Sequence, residues 1–178
     1  MPINKFIINI IKKDINHKMK SSKSKRMKII VYSIYIVLLD QISKFILLST
    51  IGLERSKNII PYLMNFTLVK NKGAAFSLFS DSTNILTIIS ILTSLILITI
   101  ILKFPPKSFW NLIGLSYLLG GTIGNGIDRV FKGYVLDFFE LIPIDFPIFN
   151  LADVSINIAM ICFLIDIIKN NPNKRINY

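Results

Sequence analysis

The chain has 178 residues, of which 52% are hydrophobic and 17% charged, a balance that indicates a protein of the lipid bilayer and excludes an ordinary soluble domain. Nine of its 21 basic residues lie within the first 28 positions, so the net charge of +11 belongs mostly to one end and does not predict a nucleic-acid-binding surface. A single cysteine, Cys162, and a single histidine, His17, exclude an internal disulfide and histidine-dependent hydrolysis, and no metal or cofactor is expected.

Four apolar stretches are long enough to cross the hydrocarbon core of a bilayer, which takes about 20 helical residues. The predicted transmembrane helices cover residues 29–49, 84–103, 108–127 and 149–168. The predicted fold class is therefore an all-α polytopic membrane protein. Its expected parts are a basic tail over residues 1–28, a four-helix membrane domain over 29–168 and a second tail over 169–178.

Lysine and arginine residues beside the spans predict the orientation of the chain. The two tails and the 103–107 link carry 14 of them, whereas the loops 50–83 and 128–148 carry six. By the positive-inside rule both termini lie in the cytoplasm and the two loops lie outside. A cleavable signal peptide is the alternative for the first apolar run, but that run has spanning length and no small-x-small cleavage site after it.

The two outer loops are expected to be structured. Residues 59–80 contain Pro61, a β-prone Phe66-Thr67-Leu68-Val69 run and Gly73, a pattern that predicts short strands on the membrane surface. The second loop is too apolar to lie free in water, so it is expected to dip into the membrane interface.

Ionisable residues inside a span are candidates for function, because each costs about 2.5–3.5 kcal/mol at a helix centre. Asp40 and Lys44 are spaced i and i+4, so they share one helix face and can pair. The pairing alone leaves open whether they serve the chemistry or only make the first helix insertable.

The third span ends in a glycine-rich stretch followed by an Asn-x-x-Asp-Arg cluster. Gly120 and Gly124 form a G-x-x-x-G face suited to close helix contact. Asn125, Asp128 and Arg129 follow at the outer boundary, where polar groups satisfy one another or a ligand.

Asp137 and Asp153 are predicted to lie at the same outer face. Two neighbouring carboxylates cannot both ionise easily, so they share a proton, and one can then deprotonate a water while the other donates a proton. Spacing alone leaves a catalytic pair and two helix caps as alternatives.

Five short sequence blocks occur in the same order as in a known family, which also has four spans. They are Asp40-Gln41-Ile42-Ser43-Lys44, Asn71-Lys72-Gly73-Ala74-Ala75-Phe76, Gly124-Asn125-Gly126-Ile127-Asp128-Arg129, Val135-Leu136-Asp137-Phe138 and Phe149-Asn150-Leu151-Ala152-Asp153. With these blocks, residues 28–168 resemble the lipoprotein signal peptidase family, also called signal peptidase II.

The resemblance implies an aspartic endopeptidase of the bacterial inner membrane, with its active site at the extracytoplasmic face. Such an enzyme removes signal peptides from diacylglyceryl-modified prolipoproteins, cutting before the lipidated cysteine. Its partners would be these substrates and membrane lipid, with no nucleic acid, no obligate protein partner and no cofactor. The family also has a small β-cradle and an interfacial helix, here residues 51–80 and about 130–147.

The resemblance also assigns site residues. Asp137 and Asp153 match the catalytic pair, although their separation of 16 residues looks slightly short for the family. The positions that bind substrate or support the pair are matched by Asp40, Lys44, Asn71, Gly73, Asn125, Asp128, Arg129, Asn150 and Ala152.

Two other functions compete with the peptidase. A small proton- or ion-coupled transporter would carry acids through the depth of the membrane and an internal repeat of its spans. Here the acids gather near one face, with Asp166 as the exception, and no repeat is visible. A non-catalytic membrane anchor would tolerate loss of either aspartate.

Overall fold

The computed structural model of the protein describes residues 2–73 and 83–170, with side chains from residue 16 onward. Its helices and strands, in chain order, are α1 (Pro2–Thr50), β1 (Ser56–Ile60), β2 (Met64–Asn71), α2 (Thr83–Lys103), α3 (Phe109–Lys132), β3 (Val135–Leu141) and α4 (Leu151–Lys169). Each predicted span lies almost wholly within one of the four helices. The Ala74-Ala75-Phe76 part of the second block lies outside the described residues.

Helix α1 is far longer than the predicted first span, because it continues through the basic tail. Pro2 stands at its first position, where a missing amide hydrogen costs nothing, and neither glycine nor proline follows before Gly52. Lysine-rich segments without such breakers have good helix propensity. The tail therefore extends the first helix instead of forming a separate segment.

Within the part of the chain that the structure describes, three helical segments are long and apolar enough to cross a membrane: Asn16–Thr50, Thr83–Lys103 and Leu151–Lys169. The outward faces of these helices carry exposed large side chains, such as Leu92 and Leu95 of α2 and Ile161 of α4. Such faces are suited to hydrocarbon and costly in water. Helix α3 has sufficient length, with 24 residues, but it is rich in glycine and polar side chains.

Helix α3 is the centre of the bundle and packs against α1, α2 and α4. A Cβ atom added at Gly120 would lie 2.8 Å from Ile36 of α1, and one at Gly124 would lie 2.8 Å from the Asp40 carboxylate. At Gly121 it would lie 2.6 Å from the Ala152 carbonyl oxygen of α4. The predicted G-x-x-x-G contact face is thus confirmed. Because glycine has no side chain, these positions let α1 and α4 pack closely against the end of α3.

The three strands form one antiparallel sheet in the order β1-β2-β3. The predicted β-prone run Phe66–Val69 is confirmed, since it lies within β2. Strand β3 comes from the second loop and pairs Val69 with Asp137 and Asn71 with Val135. A small apolar core of Leu68, Leu136 and Phe138 lies beneath the sheet.

The prediction of an interfacial helix over about residues 130–147 is wrong for this chain. Helix α3 runs to Lys132 and ends at Gly133, whose φ of 73° gives the left-handed cap that glycine tolerates best. The β-branched and aromatic residues that follow then pair with the open edge of β2, which satisfies the backbone groups of both strands. Leu136 and Phe138 are consequently buried under the sheet.

Candidate active site

The two aspartates come to one place from different elements. Asp137 lies within β3 and its side chain is buried, whereas Asp153 lies in the first turn of α4 and is partly exposed. Asn150 caps α4. Its side-chain oxygen accepts a hydrogen bond from the backbone N–H of Asp153 at 3.0 Å, and the Asp153 carboxylate accepts one from the backbone N–H of Asn150 at 3.1 Å. Asp153 therefore does belong to a helix cap, which fixes the orientation of its carboxylate.

Side-chain amides link the two carboxylates. Asn150 Nδ2 donates to Asp137 Oδ1 at 2.6 Å and also lies 3.0 Å from Asn125 Oδ1. Asn125 Nδ2 in turn donates to Asp153 Oδ1 at 2.8 Å. Asn71, at the end of β2, donates to the second oxygen of Asp137 at 2.8 Å. Three asparagines therefore hold the two carboxylates in fixed positions: Asn71 from β2, Asn125 from α3 and Asn150 from the cap of α4.

The environment of Asp137 favours its protonated form. Burial raises the pKa of Asp137 to about 7, and the nearby charge of Asp153 adds to this rise, while hydrogen bonds from Asn71 and Asn150 oppose it. Asp137 therefore keeps its proton up to about neutral pH, well above the range in which an exposed aspartate loses it. One acid and one base side by side are the requirement for activating a water.

A buried ion cluster lies directly behind the pair. Lys44 is only 1% exposed, and its ammonium group lies 2.8 Å from Asp40, 2.8 Å from Asp128 and 3.2 Å from Asn125 Oδ1. The three protons of the ammonium group thus have three acceptors, and the predicted Asp40–Lys44 pair is confirmed. Asp40 also accepts a bond at 3.0 Å from the amide of Ala152, in the first turn of α4. The cluster ties α1, α3 and α4 together beneath the site.

Two further members of the cluster were not predicted. Gln41 Nε2 lies 3.0 Å from Asp40, 3.1 Å from the Gly124 carbonyl and 3.4 Å from Asp128. Lys132 pairs with Asp128 at 2.8 Å. The i, i+4 spacing of Lys132 from Asp128 was a usable signal. For Gln41 the signal was its place in the Asp40-Gln41-Ile42-Ser43-Lys44 block.

Arg129 and Gly73 lie at the edges of the site. Arg129 donates to the Ser90 hydroxyl of α2 at 3.2 Å, and its charge acts on both Asp137 and Asp153. Sequence analysis did not single out Ser90, which is one more hydroxyl in an apolar helix. The backbone amide of Gly73 donates a hydrogen bond at 2.9 Å to the side-chain oxygen of Asn71. This bond orients the Asn71 side chain, whose nitrogen donates to Asp137.

The eleven predicted site residues thus gather at one end of the helices. Asp166, an acid within a predicted span, lies at the opposite end of α4 from Asp153. There its carboxylate accepts hydrogen bonds from the hydroxyl of Ser108, which caps α3, and from Asn170 Nδ2 at 2.7 Å. Asp166 therefore fastens two helix ends to each other, and the described acids do not form a path through the membrane.

Comparisons with known proteins agree with this geometry. The family model described as "Signal peptidase (SPase) II" matches residues 32–169. The lipoprotein signal peptidase of Parasynechococcus marenigrum is 42% identical over 140 residues, covering 79% of this chain and 88% of the relative. That of Enterococcus faecalis is 39% identical over 136 residues, covering 76% and 84%.

A solved structure, titled as a bacterial membrane enzyme, superposes with a TM-score of 0.76 at 34% identity and covers 84% of this chain and 93% of its own. These matches do not support the transporter alternative, and with several apolar helices they indicate a multi-pass membrane enzyme. The family model, which matches most of the chain, and these relatives together show that this chain belongs to the signal peptidase II family.

Proposed function

We propose that this chain is an aspartic endopeptidase that removes the signal peptide from diacylglyceryl-modified prolipoproteins, cutting before the lipidated cysteine. Asp137 and Asp153 form the catalytic pair. The observation that carries this proposal is the buried Asp137 held beside Asp153 through the side-chain amides of Asn125 and Asn150. A pair that only capped a helix would not need a second carboxylate on a neighbouring strand.

The proposed reaction uses the difference between the two carboxyl groups. At rest the shared proton lies mainly on Asp137, whose pKa is raised to about 7, and Asp153 is the base. Asp153 takes a proton from a water, whose oxygen attacks the scissile carbonyl carbon, while Asp137 donates its proton to the carbonyl oxygen. The carbon–nitrogen bond then breaks as the proton held by Asp153 passes to the leaving amine of the cysteine. The hydroxyl formed from the carbonyl oxygen returns its proton to Asp137, so a carboxyl product forms and both aspartates regain their starting states.

The residues around the pair have supporting roles in this proposal. Asn125 and Asn150 orient the two carboxylates, and the Asp40–Lys44–Asp128 cluster holds α4 so that Asp153 and Ala152 stay against α3. Asn71 holds Asp137, and Gly73 supports Asn71. Arg129 contributes positive charge beside the site for the substrate backbone.

The proposed setting is the bacterial inner membrane, with all four helices as spans and both termini in the cytoplasm. Helix α3 crosses as the central helix because its polar face is covered by α1 and α4. The sheet and the aspartates then lie at the extracytoplasmic boundary. The peptidase domain covers residues 29–168, flanked by the basic segment 1–28 and the tail 169–178. The substrate enters sideways, with its lipid remaining in hydrocarbon and its scissile bond at the polar pair.

Cleavage by the purified chain in detergent tests this function. We expect a diacylglyceryl-modified prolipoprotein to be cut so that the product begins at the modified cysteine, as mass spectrometry of both fragments would show. The matched control is the same precursor with serine in place of that cysteine, which cannot carry the lipid and should remain intact. A cut at another peptide bond, or equal cutting of the serine precursor, would refute the proposed specificity.

A further inference from the structure

One polar side chain of the apolar helix α2 reaches the edge of the site. Ser90 lies four residues after Leu86 and seven before Leu97, and all three are buried, so they share the inward face of the helix. The Ser90 side chain is 8% exposed. A buried hydroxyl is costly unless it takes part in a hydrogen bond. The partner of Ser90 therefore shows what this hydroxyl does.

The hydrogen bond of Ser90 differs from those of its neighbours in α2. Thr87, Ser94 and Thr99 each donate to the carbonyl four residues earlier in the same helix, at 2.8 Å. Such bonds satisfy a hydroxyl locally and connect it to no other element. Ser90 accepts a hydrogen bond at 3.2 Å from a guanidinium nitrogen of Arg129 in α3. This contact joins α2 to the site.

Arg129 is near both aspartates but does not pair with either. Its charge acts on Asp153 and on Asp137. None of the ion pairs between described residues includes Arg129, and its guanidinium group donates to the neutral hydroxyl of Ser90. A guanidinium group has several N–H donors, so most of them stay available to a ligand. Arg129 is also only partly buried, which leaves it accessible from the site.

We propose that Ser90 is a positioning residue that holds the Arg129 guanidinium group apart from Asp137 and Asp153, so that its N–H groups can bind peptide carbonyl oxygens of the substrate. The part about the substrate rests on the proposed peptidase function, whereas the position of Arg129 does not. Without the Ser90 hydroxyl, the guanidinium group would form a charge-assisted pair with the partly exposed Asp153. Such a pair would take donors away from the substrate and would also favour the ionised form of Asp137.

Infrared spectroscopy of the full chain in detergent tests this position of Arg129 without using catalysis. The protonated carboxyl group of Asp137 gives a C=O stretching band, which is identified by its loss in Asp137→Asn and followed as the pH is raised. Charged groups that act on Asp137 are Asp153 of α4, Arg129 of α3 and Lys44 of α1. We expect Ser90→Ala to lower the midpoint of this titration by at least about half a pH unit, because the cation moves closer.

Ser94→Ala is the matched control, because the Ser94 hydroxyl donates within α2 and should leave the midpoint unchanged. A second comparison uses Arg129→Gln, which removes the guanidinium group. Adding Ser90→Ala to that variant should cause no further shift. An equal shift by Ser90→Ala with and without Arg129 would mean that Ser90 acts on Asp137 through packing, and would overturn the proposal. The absence of any shift in Ser90→Ala would also overturn it.

Cleavage rates of the same proteins separate this inference from the proposed function. We expect Ser90→Ala to lower kcat/KM by at least about tenfold, since a hydrogen bond to a charged group is lost from the site. The fall of kcat/KM at alkaline pH should begin earlier by the same shift as the infrared band. An infrared shift in a chain that does not cut lipidated prolipoprotein would refute the peptidase and retain the role of Ser90. Cleavage by Ser90→Ala with native kcat/KM and an unshifted band would do the reverse.

Discussion

Asparagine in place of either Asp137 or Asp153 is expected to lower kcat for signal-peptide cleavage by at least about a thousandfold. Asparagine can neither take a proton from water nor donate one as a carboxylic acid does, but it keeps the shape and most hydrogen bonds of aspartate. In Asp153→Asn the side-chain oxygen can still accept from the Asn150 amide, so the cap of α4 is retained. The loss should therefore appear in kcat, with KM and the melting temperature Tm nearly unchanged.

The predicted loss of kcat is tested by measuring initial rates with a lipidated precursor. The Tm of each variant is measured in the same detergent. Asp145→Asn is the matched control, because Asp145 is an exposed acid of the segment between β3 and α4 and takes no part in the described site. It should keep near-full activity. A well-folded Asp137→Asn or Asp153→Asn enzyme with kcat within about tenfold of the native value would remove that aspartate from the acid–base role.

Methionine in place of Lys44 is expected to destabilise the fold by about 3–5 kcal/mol, because it leaves two buried carboxylates without their shared cation. Asp40 and Asp128 are both fully buried, and Lys44 is the cation that contacts both. Thermal and chemical unfolding in detergent would measure the loss, together with a fall in activity as α4 loses the bond between Asp40 and Ala152.

Lys132→Met is the control for this prediction. The Lys132 side chain is 32% exposed, and Asp128 keeps Lys44 when it is removed, so the cost should stay below about 1 kcal/mol. The double variant Lys44→Met/Asp40→Asn should be more stable than Lys44→Met, since its remaining buried carboxylate, Asp128, still pairs with Lys132. Equal stability of Lys44→Met and Lys132→Met would show that the cluster does not hold the helices together.

Hydropathy and local spacing predicted the helices and much of the site. The apolar runs are continuous enough that their boundaries agree with α2, α3 and α4 to within a few residues. The i, i+4 spacing of Asp40 and Lys44 was sufficient to predict their pairing. The glycines of α3 likewise predicted a close helix contact, because no other residue permits that approach.

Contacts between elements that are distant in the sequence could not be predicted from such local patterns. Residues 135–141 are as apolar as an interfacial helix, and only the open edge of β2 decides that they form a strand. Gln41 is held by Asp40 and by two groups of α3, Gly124 and Asp128, which no local spacing brings near it. The basic tail gave no clear fold signal, so the continuation of α1 through it was not predicted.

The rate of cleavage as a function of pH tests the shared proton of Asp137 and Asp153 most directly. Because the pKa of Asp137 is raised to about 7, the singly protonated pair is lost as pH rises past that value. The native enzyme should therefore show kcat/KM falling by about tenfold per pH unit above this point, with Tm unchanged over the same range. A rate that stays level or rises from neutral pH to about pH 9 would contradict an acid–base role for this pair.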